Sequence, residues 1–487
     1  MAAPNAVMPL WTAAELAAAT GGRWASGVAG DRAVSGISID SRTLVAGDLF
    51  VALVGPTHDG HDFVGKALAA GASAALVHRR PSDTSADAPL LMVRDTMAAL
   101  EAVAAAARAR TEARFVAVTG SVGKTGTKEA LRLALESQAV TYASQGNLNN
   151  QWGVPLSLAR MPRDTVYGVF ELGMNHPGEI RALTRQVRPD VAVITTVEAA
   201  HLEFFGTVEA IADAKAEIFE GMNRAGVAVL NRDNAQYDRL VGRAKAQGLA
   251  RIIGFGRHPD AQARLIDCTL HSTCSAVTAS ILGEKLEYCI GTPGIHWVIN
   301  SLAVLAAVSA IGADPRSAAA SFAGLAAPKG RGQRRRIALA AGAFHLIDES
   351  YNASPVAVRA ALAVLGRATT GPTGRRIAVI GDMLELGEAG PRLHAELAPD
   401  ILRAGVDLVF TAGPLSAELF KALPPERRGA HAPDTTALAP IVAGAVRPGD
   451  VVLVKGSLGS RMSVIVDALV ALDQSDQPAL QRAANGG

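Results

Sequence analysis

Lys124 and Thr125 end the string Phe115-Val-Ala-Val-Thr-Gly-Ser-Val-Gly-Lys-Thr125, and together they suit phosphate chemistry. A lysine so placed reaches the terminal phosphates of a nucleotide, and the hydroxyl beside it sits on a magnesium ion. Gly120 and Gly123 bracket a turn at a helix start, so the amides of Ser121, Val122, Gly123 and on to Gly126 would face phosphate oxygens. The spacing Gly120-x-x-Gly123-Lys124-Thr125 is shorter than the strict phosphate-loop pattern, and an ordinary glycine-rich turn between strand and helix is the alternative. Glu171 closes the run Val166-Tyr-Gly-Val-Phe-Glu171, a place for a magnesium ligand. His201 follows another apolar run, and Lys215 lies in Ala212-Asp-Ala-Lys-Ala-Glu-Ile-Phe219. Taken singly, these three also read as a solvated strand-end acid, a structural histidine and a surface helix lysine.

Such residues need a scaffold that brings strand ends together. The valine-rich run before Gly120 predicts a buried strand, and Lys128 to Glu136 has helical composition and spacing. Val191-Ala-Val-Ile-Thr-Thr196, Val227-Ala-Val-Leu230 and Ile252-Ile253 continue the alternation of strand and helix, which indicates a mostly parallel sheet covered on both faces. Arg264 to Glu287 reads as antiparallel strands added to it. A basic, glycine-rich segment, Pro328-Lys-Gly-Arg-Gly-Gln-Arg-Arg-Arg336, looks like a linker. Beyond it His345-Leu-Ile-Asp348, Ile377-Ala-Val-Ile380, Leu408-Val-Phe410 and Val451-Val-Leu-Val454 repeat the α/β pattern. Before residue 113, short strands at Val34–Asp40 and Asp48–Val54 alternate with alanine-rich helices.

The chain of 487 residues predicts about three domains, here 1–112, 113–333 and 334–487, with a polar, frayed tail from about residue 473. With 47 basic against 45 acidic residues, nothing in the charge balance calls for nucleic acid or an anionic membrane. No run of 18 strongly apolar residues and no secretory signal is evident, so a cytoplasmic protein is expected. Cys268, Cys274 and Cys289 lack metal or redox spacing and read as free thiols.

The order of these motifs resembles the ATP-dependent muramyl ligases of peptidoglycan synthesis. Those carry Thr-Gly-x-x-Gly-Lys-Thr, a strand-end Glu, a His after the next strand and a helix Lys. Gly-x-His-x-x-x-Asn, a linker Arg and Asp-x-x-Tyr-Asn-Ala-x-Pro follow. Here Thr119–Thr125, Glu171, His201, Lys215, Gly294-Ile-His296-Trp-Val-Ile-Asn300, Arg331 and Asp348-Glu-Ser-Tyr351-Asn352-Ala-Ser-Pro355 stand in that order across essentially the whole chain. Trp297 departs from the asparagine common after that histidine, and Met174 from a frequent alanine.

The resemblance implies three α/β domains: an N-terminal UDP-binding domain, a central P-loop-type ATPase domain with a mostly parallel sheet, and a C-terminal Rossmann-like domain. It implies ATP as co-substrate, two Mg²⁺ ions and CO₂ for carbamylation of Lys215. Thr125 and Glu171 would ligate one metal, and His201 with carbamylated Lys215 the second. Asn300 would contact adenine, Asp348 the ribose, Arg331 the phosphates, and Asn352 would position the nucleotide. Ser41 and Arg42 would contact uridine diphosphate, a structural salt bridge being the alternative for the arginine. Asn149 and Asn150 would face the muramyl peptide, turn formation being their alternative. The strings Asn147-Leu-Asn-Asn150, Gly381-Asp-Met-Leu-Glu-Leu-Gly387 and Val454-Lys-Gly-Ser457 resemble the branch that joins D-alanyl-D-alanine to UDP-N-acetylmuramoyl-tripeptide. Lys455 and Ser457 would receive the dipeptide carboxylate, or else form an ordinary strand-to-helix turn. A monomer is expected. A sibling ligase adding a single amino acid, a ligase adding glutamate to folate, and a nucleotide-gated binding module are the other readings.

Overall fold

Phe115–Val118, Val191–Ile194 and Val227–Leu230 are buried on both faces, which only a strand covered from two sides can achieve. In the structure, a computed structural model, residues 9–25, 32–199 and 202–475 are described. Among them the three runs lie inside a nine-stranded sheet. Its order is Glu284–Ile290, Ser275–Ile281, Ala263–Leu270, Arg251–Gly256, Val227–Asn231, Val191–Ile194, Arg114–Thr119, Tyr167–Glu171 and Thr141–Ala143. From Ala263–Leu270 to Thr141–Ala143 neighbouring strands run parallel, and the other two form the antiparallel extension.

Alternate residues of Arg114–Thr119 feed two cores. Val116 and Val118 pack with the helices Lys124–Glu136 and Ile295–Ala310, while Phe115 and Ala117 pack with Gly153–Ala159 and Glu179–Val187. The chain leaves Arg114–Thr119, returns on one side as Tyr167–Glu171, and then crosses to the other side as Val191–Ile194. Connections diverge at such a point, and a crevice opens at the carboxyl ends of the strands.

A second sheet has the order Gln333–Leu339, Gly342–Glu349, Val451–Lys455, Arg376–Gly381, Leu408–Ala412 and Arg428–Ala432, parallel except for its first strand. The basic segment expected as a linker is therefore shorter in the fold. Gln333 onward forms an edge strand, with Arg334 opposite Ile347 and Arg336 opposite His345. An edge tolerates this run of arginines because one side of the ladder is unpaired. The Asp473 carboxylate accepts from Ala338 N at 3.0 Å, so the tail is pinned to that edge at its start.

The N-terminal unit holds a five-stranded sheet, Arg23–Trp24, Leu90–Met92, Ala74–Val77, Asp48–Val51 and Gly36–Ser38, and a two-stranded pair, Trp11–Thr12 with Ala33–Val34. The run Val34–Asp40 is thus split between two sheets. This unit docks on the helix Gly153–Ala159, whose Leu156 and Ala159 share a core with Trp11 and Leu16. Trp11 Nε1 donates to Ala159 O at 2.8 Å, and Arg160 Nε donates to Ile37 O at 2.5 Å. Among the described residues no helix is long and apolar enough to cross a membrane.

Candidate active site

The turn after Arg114–Thr119 is forced by contacts that only glycine permits. A Cβ on Gly120 (φ 149°) would lie 1.9 Å from Thr195 Oγ1, and one on Gly123 (φ 88°) 2.7 Å from Asn300 Nδ2. Gly123 begins the helix Lys124–Glu136, and no side chain caps it. Its first N–H groups are left for a ligand, and the dipole there favours an anion. Lys124 Nζ donates to Gly120 O at 2.7 Å, within its own loop. Burial pushes this ammonium below the usual lysine range, Glu171 opposes the shift, and Arg331 adds to it.

Glu171 lies at the next strand end and is 1% exposed. Thr125 Oγ1 donates to its Oε2 at 2.8 Å, and Asn149 Nδ2 donates to its Oε1 at 2.8 Å. Among the described residues it forms no salt bridge, the Lys124 ammonium acting on it only at longer range, and burying a carboxylate without a direct partner is costly. A divalent cation fits this site, because Thr125 and Glu171 present hard oxygen donors side by side. No group of three His, Cys, Asp or Glu among the described residues could hold a metal by itself, so a cation held by Thr125 and Glu171 would draw its other oxygen donors from elsewhere, phosphate included.

Lys215 is on the helix Val208–Ala216 and 2% exposed, whereas a surface position was the simplest expectation for it. Among the described residues it makes no hydrogen bond and no ion pair. Burial first, and then the charge of Lys124, drive its amine well below the usual lysine range. The neutral amine is the form that adds to CO₂, and a carbamate in its place would bring the oxygen donors the metal site needs. His201 lies outside the described residues.

A cavity of about 530 Å³ runs from the phosphate loop to the C-terminal unit. Lys124, Asn149, Glu171 and Asn300 line it from one side, and Arg331, Asn352, Lys455 and Ser457 from the other. The Arg331 guanidinium lies 4.1 Å from the centre of the Tyr351 ring. Asn352 offers its carbonyl to Lys455 Nζ at 3.0 Å, and Lys455 also pairs with Glu349 at 3.2 Å. Ser457 Oγ accepts from Leu384 N at 3.0 Å, which ties the Gly381–Gly387 segment to the same wall.

Some expected residues lie away from this cavity. Asp348 is 1% exposed and accepts from Ser350 Oγ at 2.6 Å, inside the turn that carries Tyr351 and Asn352. Asn150 Oδ1 accepts from Gly153 N at 3.0 Å and fixes the start of the next helix. Ser41 and Arg42 follow the Gly36–Ser38 strand in the N-terminal unit, and the arginine pairs with Asp40 at 2.7 Å.

Three residues at the site were not singled out from the sequence. Lys128, wholly buried, reads like any helix lysine, since a charge alternating with apolar positions signals a surface face. His394 Nε2 accepts from Met383 N at 2.8 Å and its Nδ1 donates to Gly390 O at 2.7 Å, so it is a neutral brace behind the Gly381–Gly387 segment. Nothing local marks it. Ser144, whose Oγ accepts from Glu171 N at 3.2 Å, sits in an irregular loop with no motif.

Residues 33–108 match the Mur ligase family catalytic domain, 118–308 the Mur ligase middle domain, and 330–458 the Mur ligase glutamate ligase domain. The UDP-N-acetylmuramoyl-tripeptide–D-alanyl-D-alanine ligase of Rickettsia prowazekii is 35% identical over 442 residues, covering 88% of this chain and 94% of that protein. The enzyme of that name from Escherichia coli is 36% identical over 441 residues, covering 90% and 94%. Among solved structures, MurF from Acinetobacter baumannii superposes with a TM-score of 0.81 at 30% identity, over 95% of this chain and 99% of that one. MurF ligase from Thermotoga maritima in complex with ADP gives 0.74 at 27% identity, over 90% and 97%.

Proposed function

The chain belongs to the Mur ligase family, and from that premise we propose that it joins D-alanyl-D-alanine to UDP-N-acetylmuramoyl-tripeptide, converting ATP to ADP and phosphate in peptidoglycan synthesis. One observation carries the reading. The phosphate loop with Glu171, and the wall with Arg331, Asn352 and Lys455, face each other across a single cavity. The terminal carboxylate of the tripeptide attacks the γ-phosphorus and gives an acyl phosphate and ADP. The dipeptide amine then adds to the acyl carbon, and the tetrahedral intermediate expels phosphate while the nitrogen loses its proton.

Phosphoryl transfer of this kind is catalysed by positioning and by charge. The amides from Val122 to Gly126, with Lys124, hold the β- and γ-phosphates, whereas the Ser121 amide, expected among them, donates to Thr196 O at 2.8 Å, and Arg331 meets the phosphates from the C-terminal side. Asn300 contacts the adenine, beside Gly123. Asp348 serves the ribose side by holding the turn that presents Asn352. Thr125 and Glu171 would hold one magnesium ion, and His201 with carbamylated Lys215 a second. Magnesium, when bound, neutralises charge on the transferring phosphoryl group. Asn149 aims Glu171 and faces the peptide acid, and Asn150 sets the loop that carries it. Ser41 and Arg42 take the uridine diphosphate at their strand end. Lys455 and Ser457 receive the dipeptide carboxylate. Because two units wall the cavity, their closure excludes water from the acyl phosphate. The enzyme works as a monomer in the cytoplasm.

The test is phosphate release from ATP with each substrate omitted in turn. Release is expected only when both UDP-muramyl-tripeptide and D-alanyl-D-alanine are present. Equal release without the dipeptide would overturn the reading.

A further inference from the structure

Lys128 is 0% exposed, on the helix that begins at the phosphate loop, one turn beyond Lys124. Its ammonium has three N–H groups and finds three acceptors: Ser144 O at 2.7 Å, Gly146 O at 3.3 Å and Glu129 Oε1 at 2.9 Å. Two of these are carbonyls two residues apart, so the lysine gathers the turn that leaves the Thr141–Ala143 strand. That turn leads to Asn149. Ser144 is also fixed from the other side: its N–H donates to Val169 O at 2.9 Å, and its Oγ accepts from Glu171 N at 3.2 Å. Asn149 donates to Glu171 Oε1 at 2.8 Å, and its carbonyl accepts from Gly173 N at 2.8 Å. The segment from Ser144 to Asn150 has no helix or strand of its own.

We propose that Lys128 is a positioning residue for phosphoryl transfer, holding the Ser144–Asn150 segment so that Asn149 keeps the Glu171 carboxylate aimed at the phosphate loop. An apolar side chain of the same length would fill the space and leave the buried Ser144 carbonyl without this donor, while the exposed Gly146 carbonyl would turn to water. The segment would then relax, and Asn149 with it. Lys128 touches no substrate, and its influence runs through the grip of Asn149 on Glu171. The inference rests on the reading of Glu171 as a magnesium-facing carboxylate, and partners of that kind typically govern about 10–100-fold in metal affinity.

The experiment is a double-mutant cycle of Lys128→Met and Asn149→Ala in the full-length protein. It reads the magnesium concentration for half-maximal phosphate release, together with ADP binding by calorimetry across a magnesium series. Each single variant is expected to raise the magnesium requirement about tenfold, to weaken ADP binding only at low magnesium, and to leave the KM for the dipeptide nearly unchanged. The double variant should be no worse than either single one, because both break the same link. If Lys128→Met fails to fold, Lys128→Gln, which can still donate to Ser144 O, takes its place in the cycle with a smaller shift expected. Losses that multiply, or a fall in kcat with an unchanged magnesium requirement, would overturn the inference alone. A parent enzyme indifferent to magnesium would overturn it together with the reading of Glu171.

Discussion

The hydroxyl of Thr125 donates to Glu171 Oε2 at 2.8 Å, so the first turn of the phosphate-loop helix and the end of the adjacent strand share one carboxylate. The strands Arg114–Thr119 and Tyr167–Glu171 are paired in register, Glu171 opposite Val118, which fixes the loop and the acid relative to each other. Helix and sheet geometry therefore set this contact before any ligand contributes.

Glu171→Gln is expected to keep the fold and lose the reaction. The amide has the same size, and the Thr125 hydroxyl can turn round to accept from it. What disappears is the negative charge toward magnesium. Phosphate release should fall about 10²–10³-fold, with a melting temperature close to that of the parent. A variant with near-parent turnover would remove Glu171 from the metal site.

Lys124→Ala should abolish phosphate release with the fold intact. Its one hydrogen bond among the described residues, to Gly120 O, stays inside the loop, and the alanine is a good residue at a helix start. A transition-state charge contact of this kind typically contributes about 10²–10³ in rate. Circular dichroism and a thermal melt alongside the assay separate a chemical loss from misfolding.

Lys215 offers a pH test whose sign follows from its burial. The folded protein holds this amine neutral well below the usual value of 10.5, while the unfolded chain protonates it. The unfolded state thus binds the extra proton, and stability lost to Lys215 is regained as pH rises toward 10.5. In CO₂-free buffer Lys215→Met should melt higher than the parent near neutral pH, and the gap should narrow toward pH 10. The same variant should be inactive. Lys215→Ala should recover part of its activity with short carboxylic acids that replace the carbamate oxygens, and Lys215→Arg, which keeps its charge, should stay dead. An active arginine variant would exclude the carbamate.

The parts of the site that were legible in the sequence are those where chemistry and local structure coincide. A valine run, two glycines and Lys124-Thr125 can be read together because strand, turn and helix each leave a compositional mark. Glu171 was legible as the polar end of an apolar strand. Burial of Lys215 was not, since nothing in an alanine-rich helix says which face is covered. Nor was the edge strand Gln333–Leu339, where arginines mimic a linker, or Arg428–Ala432, whose Gly-Ala-His composition carries little strand signal. Lys128 and Ser144 become functional only through partners 16 and 27 residues away, which no local pattern encodes.

The incoming amine is the most specific part of the reading, and Lys455 is where it can be tested. The lysine ends the Val451–Lys455 strand, is 2% exposed, and has acceptors for two of its N–H groups in Glu349 and Asn352 O. A dipeptide carries its carboxylate one residue further from the reacting amine than a single amino acid does. The anchor must therefore lie away from the phosphate loop, and Lys455 stands on the opposite wall of the cavity from Lys124. A charge-assisted hydrogen bond is worth about 1.5–3 kcal/mol, so Lys455→Ala should raise the KM for D-alanyl-D-alanine roughly tenfold or more while that for ATP moves little. Single D-alanine, L-lysine, diaminopimelate or D-glutamate should support little phosphate release in the parent enzyme. An equal rise in both KM values would make Lys455 a structural brace for the Glu349–Asn352 turn. Robust ligation of a single amino acid to a shorter muramyl peptide, with no response to the dipeptide, would move the chain to a sibling activity in the same family.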